Sequence, residues 1–270
     1  IVFLVCIASA MAYYVQYVIP EQKTTPAGLA ERGVAPAEDR MEPPIPKKAL
    51  PAAPLATLER PANATREELR DLSLKALFAL WEIKYDPKDR QPACLQALRQ
   101  GLRCHEVKDS LSSLRLLNKP AVLILRDDKE GEYHALLSSL KDQTASVTVG
   151  SETRSVGIGE IARRWTGDYL LLWRPPAGYT AELPPGSRGE IVKWLDRRLA
   201  QVQGGAAEST GATAYDDRLV KQVKQFQVAA GLTPDGILGW RTIVRLDDAT
   251  GGSGPSLNNG KKEMRRVLHP

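Results

Sequence analysis

Phenylalanine is scarce in this sequence, with 3 in 270 residues, so aromatic contacts must rest on its 5 tryptophans and 8 tyrosines. A sustained excess of one charge is also missing. Basic and acidic residues are mixed along the chain and leave a formal net charge of only +5. That is too little to mark an electrostatic footprint for nucleic acid, and no nucleic-acid partner is expected. Cysteine is equally sparse. Cys6 lies within an apolar run, which leaves Cys94 and Cys104 as the one available pair and excludes a disulfide framework. The chain opens at Ile1 without an initiator methionine, so it reads as a fragment or a processed product.

What is present divides into blocks. "IVFLVCIASAMAYYVQYVIP" is apolar from Ile1 to Ile19 apart from Ser9 and Gln16. As a helix it would span about 28 Å, close to a hydrocarbon core, with Tyr13, Tyr14 and Tyr17 at one end as interfacial aromatics. A signal peptide is the competing reading, but no basic segment precedes the run. A membrane helix is therefore expected at 1–19. Residues 20–65 are rich in proline and alanine without an apolar period, and read as a stiff linker. Residues 249–270 soon reach "GGSGP" and read as a disordered tail.

Two folded regions are expected between these. In 66–176, "REELRDLSLKALFALWEI" places Leu69, Leu72, Ala76, Leu80 and Ile83 at helical spacing, and Gly101 should end the short helix of "ACLQALRQGL". The period then shortens: "PAVLIL", "EYHALLSSL", "SVTVG" and "DYLLLW" alternate with turn-rich connections, as in an antiparallel sheet. Helices followed by strands give an α+β class. In 183–248, three short apolar-faced helices are expected, a bundle that would be marginal alone.

The second region carries a resemblance. "PGSRGEIVKWL" followed by "YDDRLVKQVKQFQVAAGLTPDGILGWRT" resembles the three-helix peptidoglycan-binding module of bacterial cell-wall proteins. The matching elements are Gly186, Gly189, Tyr215-Asp216, Phe226-Gln227, Gly231-Leu232, Asp235-Gly236-Ile237, Gly239 and Thr242. Two positions depart from the pattern: Trp240 stands where proline is usual, and Asp196 where glutamine is usual. The resemblance implies peptidoglycan as a partner. The candidate wall-binding residues are Trp194, Tyr215, Gln227, Asp235, Gly236, Gly239 and Trp240, with the turn's backbone groups facing peptide stems and the aromatics facing sugars. A plainer reading stays open, in which the glycines are caps and the aromatics are core; for Phe226 and Trp194 it is the stronger one.

The whole arrangement resembles the periplasmic half of the GspA/ExeA family of type II secretion: a span, a Pro/Ala linker, an α+β domain with "LFALWEI" and "WTGDYLLLWRPP", then the module. The family resemblance implies an inner-membrane protein with a single span and folded domains in the periplasm. It also implies a GspB-type partner, a role in placing or assembling the secretin, and an AAA+ ATPase domain upstream. Self-association into homo-oligomers is expected separately, because linker-tethered domains bound to a shared polymer meet at raised local concentration. No cofactor is implied.

The α+β domain further resembles cysteine peptidases that process bacteriocin leaders. His134 in "EYHALL" matches that family's histidine, but the helix near 69–81 has no cysteine, and Gly150 and Ser151 stand where an acidic partner would be expected. A retained fold without catalytic residues is the reading, with an exported thiol-dependent hydrolase as the alternative. A metal site from Cys94, Cys104, His105 and His134 fits no standard zinc spacing, so no metal is expected. Ten residues along one helix would separate Cys94 and Cys104 by about 15 Å, but a chain reversal at Gly101 would bring them within bonding range. In an oxidising periplasm they should then form a disulfide.

Overall fold

The computed structural model describes residues 55–129, 131–203, 211–252 and 254–258. The apolar run at 1–19, the linker up to residue 54 and the tail from residue 259 lie outside them. Among the described residues, no helix is long and apolar enough to cross a membrane.

Helix α1 (Arg66–Leu80) starts at a capping box: the Thr65 hydroxyl accepts from the Glu68 N–H, and the Glu68 carboxylate accepts from the Thr65 N–H. Its buried stripe is Leu69, Ser73, Leu74, Leu77 and Phe78, whereas Leu72 and Leu80 are exposed. The face expected from the sequence is thus rotated. Both stripes have helical spacing, and the sheet takes the one with Phe78 and three leucines, because it removes more apolar surface from water than one containing Ala76. Helix α2 (Ala93–Arg99) follows; Gln100 caps it and Gly101 reverses the chain at φ +80°.

The sheet has six strands in the order β1-β6-β2-β3-β4-β5, and every neighbouring pair is antiparallel. They are β1 (Arg103–Lys108), β2 (Ala121–Arg126), β3 (Glu132–Lys141), β4 (Thr144–Val149), β5 (Glu152–Gly157) and β6 (Trp165–Trp173). Both outermost strands, "RCHEVK" and "ETRSVG", escape the sequence reading because edge strands bury little and carry polar residues. Two seven-residue helices, α3 (Leu111–Leu117) and α4 (Ile158–Arg164), also escape it.

Alternation along β6 divides the core. Leu172 and the half-buried Leu170 lie in the cluster under α1 and α2, with Leu74, Leu77 and Phe78. Tyr169, Leu171 and Trp173 lie on the opposite face, in a second cluster that continues into the C-terminal helices. Those helices are α5 (Glu190–Val202), α6 (Asp217–Ala229) and α7 (Trp240–Ala249). Leu183 and Leu238 join their connecting segments in a two-bond bridge. The module therefore escapes the marginality of a small bundle by sharing a core with the sheet. Trp240 stacks on His105 of β1 at 4.3 Å between ring centroids, Arg241 pairs with Asp109 at 3.2 Å, and the Asn118 amide donates to Asp248.

Both flanking segments are longer as structure than composition suggests. Leu58, placed in the linker, is fully buried. Its N–H donates to Glu160, and Ala56 donates to Ser155 on the outer edge of β5. Glu160 also accepts from Arg163 and Arg164; burial opposes its ionisation, but these donors together hold its carboxyl below the usual range. In the tail, Leu257 is buried and exchanges backbone bonds with Leu140 and Asn118. Single leucines next to prolines or glycines give no periodicity, so only the groove that accepts them reveals their role.

Candidate functional site

The loop at 233–239 is built around one side chain. Gln227, 1% exposed on the inner face of α6, donates through Nε2 to the Asp235 carboxylate at 2.8 Å, the Ile237 carbonyl at 3.1 Å and the Thr242 hydroxyl at 3.1 Å. Its Oε1 accepts from the Gly236 N–H at 2.9 Å. Tyr215 donates to the Gly236 carbonyl at 2.7 Å from a buried position, and burial, with Asp235 adding to it, raises its hydroxyl pKa. Gly236 sits at φ +75°, where a Cβ would come within 2.8 Å of Lys224 Cε and 3.1 Å of Val220 Cγ1. Only glycine meets both conditions.

Four of the sequence candidates thus meet in one network: Tyr215, Gln227, Asp235 and Gly236. Gly239 follows them as the N-cap of α7. Their chemistry differs from the expectation that the turn offers free backbone groups. The N–H groups of Asp235, Gly236, Ile237 and Leu238 are all bonded within the chain, as are the carbonyls of Gly236, Ile237 and Leu238. What faces solvent is the rim of Thr233, Pro234 and Asp235, with Ile237 half-buried. Tyr215 and Gln227 are too deep to touch a ligand and act by fixing the rim.

The two tryptophans lie outside the network. Trp194 is half-buried on α5, with the Arg198 guanidinium 5.7 Å from its ring centre. Trp240 is 9% exposed, stacked on His105 and covered by Arg241 at 4.5 Å. It holds the module against the sheet, a role unavailable to the proline usual there. Asp196, the other departure from the pattern, is a buried carboxylate paired with Arg218 at 3.0 Å. Thr242, which completes the Gln227 cage, was legible only as a motif position.

His134 lies elsewhere, in β3. It helps line a cavity of about 540 Å³ between α1 and the sheet, with Arg70, Leu74, Val122, Ile124 and Leu170. The imidazole is 9% exposed and Nδ1 has no partner. Burial, reinforced by the cations Arg66 and Arg70, holds its pKa down at about 4. Among the described residues no thiol accompanies it: Cys94 and Cys104 are joined as a disulfide, with Cα atoms 5.0 Å apart, tying α2 to β1. The other position expected to supply an acid is a turn, with Gly150 at φ +64° between β4 and β5. Among the described residues, no cluster of His, Cys, Asp and Glu could hold a metal ion, and His105 is stacked between Trp173 and Trp240.

Fold and loop together define the class, an antiparallel-sheet domain that carries a peptidoglycan-binding module. The peptidoglycan binding domain family matches residues 188–246. General secretion pathway protein A of Aeromonas hydrophila is 32% identical over 200 residues, covering 74% of this chain and 35% of that protein. A general secretion pathway protein A of Escherichia coli K12 is 28% identical over 212 residues, covering 78% of this chain and 42% of that one. The chain belongs to the GspA/ExeA family and spans well under half the length of these relatives. Among solved structures, a periplasmic domain of the EpsAB fusion protein of the Vibrio vulnificus type II secretion system aligns with a TM-score of 0.47 and 24% identity. That alignment covers 71% of this chain and 81% of that one.

Proposed function

We propose that this chain is the wall-binding, periplasmic part of an inner-membrane factor of type II secretion, and that its module grips peptidoglycan through the rim at 233–237. The observation that carries the reading is the Gln227 cage, which holds an exposed turn rigid inside a segment matched to the peptidoglycan-binding family. Rigidity matters because a ligand then meets a rim whose ordering cost is already met by the fold. The membrane span at 1–19, a GspB-type partner, a role in secretin placement and self-association on the polymer complete the proposal; the partner and the secretin role follow from the family reading. Tethered copies held on one polymer would meet at raised local concentration, which favours self-association.

Catalysis is not part of it. A thiol hydrolase needs a thiolate beside its histidine, and both cysteines of the folded region are consumed by a covalent bond to each other. Co-sedimentation with purified sacculi tests the central claim. The protein should pellet with the wall, and Asp235→Ala should release it about tenfold while the helical signal persists. Wild-type protein remaining in the supernatant would leave the module as scaffold only.

A further inference from the structure

We propose that the cavity beside His134 is a second binding site, which takes the free carboxylate end of a short peptide with an apolar terminal side chain. Three features of the cavity point to this ligand. The first is an unpartnered imidazole: His134 is nine-tenths buried, forms part of the wall, and its Nδ1 makes no hydrogen bond to any described residue. The second is a cation without a carboxylate. Arg70 also lines the cavity and has no ion-pair partner among the described residues, whereas Arg66 pairs with Glu132 at 2.9 Å and Lys108 with Asp168 at 2.8 Å. The third is the floor, where Leu74, Val122, Ile124 and Leu170 present apolar surface.

A neutral imidazole and a guanidinium that line one cavity can both donate to a carboxylate, and charge-assisted bonds of this kind are the strong ones. An apolar side chain beside that carboxylate would rest on the floor, and about 540 Å³ is room for a small peptide end. Orientation follows from the far wall. On the β1 side Glu106 would repel a carboxylate and Lys108 is already paired with Asp168, so the acid end is drawn toward Arg70 on α1. The histidine thus has a use that needs no nucleophile.

Two sources share this chemistry, a protein C-terminus and a wall stem peptide, and the test separates them. The whole 270-residue chain, in detergent, is titrated calorimetrically with three probes. These are the L-peptide Thr-Val-Thr-Val-Leu as the free acid, the same peptide as the C-terminal amide, and a synthetic wall stem pentapeptide. The free acid, the stem peptide or both should bind. The amide should bind about tenfold or more weakly, since a charged hydrogen-bond pair is lost. Arg70→Ala, a change at an exposed position on α1, should weaken the acid by a similar factor and leave sacculus binding intact. Histidine NMR adds a local readout, because the chain has 3 histidines. Around His134 the charged groups are Arg66, Arg70, Glu67 and Glu132. A bound carboxylate among them should raise the pKa of His134 while His105 stays unmoved. Equal affinity of acid and amide, binding unchanged in Arg70→Ala, or no binding by either acid overturns the site. Because sacculus binding is read separately, failure here leaves the wall-binding reading untouched.

Discussion

The loop around Gly236 and the cleft at His134 are opposites in how they treat polar groups. In the loop, Gln227, Tyr215 and Asp235 spend their polar atoms on one another and on the backbone. In the cleft, the buried His134 Nδ1 has no partner among the described residues and faces an open volume that the exposed Arg70 also lines. Buried polar groups are almost always satisfied in native proteins. A satisfied network therefore marks a scaffold that shapes a surface, and an unsatisfied buried imidazole beside a cavity marks a place that something else completes. The loop was conspicuous in the sequence because glycines are visible; the cleft was not, because nothing in a sequence displays a missing partner.

The comparison breaks most readily where the module meets the sheet. Trp240→Ala removes the ring stacked on His105 and should cost about 3 kcal/mol, as for large aromatic truncations in a core. Thermal melting should then resolve two transitions where the wild type has one. A single transition at unchanged temperature would mean that the lobes do not depend on this contact. Gln227→Ala comes next, at about 2–3 kcal/mol, because it leaves the Gly236 N–H and the Thr242 hydroxyl without their buried partner. It should abolish sacculus retention and leave peptide binding at Arg70 unaltered, which separates the two sites cleanly.

Reduction of Cys94–Cys104 should lower stability by a comparable or slightly smaller amount, about 2 kcal/mol for so short a loop. Denaturant melts with and without reductant measure it. Labelling of the denatured, unreduced chain should find neither of these cysteines reactive, and two labelled thiols would restore the hydrolase alternative.

The last effect is a pH dependence to which the cleft contributes. Burial, then Arg66 and Arg70, hold the folded-state pKa of His134 near 4, below its ordinary value. The unfolded chain therefore binds that proton first, so this contribution to stability is complete above about pH 6.5 and is lost as pH falls toward 4. His105 shifts in the same direction, through burial and then Arg241 and Arg103. His134→Gln should flatten the stability profile between pH 6.5 and about 4, while Asp235→Ala should not. An unchanged profile in His134→Gln would place the titration elsewhere.

Much of this fold was legible in advance. Four of the strands, helix α1 and the helices of the module follow from period and punctuation. The site was legible in part. Tyr215, Gln227, Asp235 and Gly236 were singled out together, but as ligand contacts, whereas two of them are interior braces. Trp240 was read the same way and proves to be a joint between lobes. Sequence spacing tells which residues share an element; it does not tell which of two faces will be covered.

The sequence by itself determined whatever depends on near neighbours: helices from apolar period and the reversal at Gly101. Only the tertiary structure decided what depends on distant partners. It chose the Leu74–Phe78 face of α1 over the Leu72–Leu80 face, drew Leu58 and Leu257 into grooves from segments without periodicity, and set Trp240 on His105. The reason is that backbone conformation is set within a few residues, whereas burial is a property of two surfaces brought together, and each such pairing joins stretches that lie far apart in the chain.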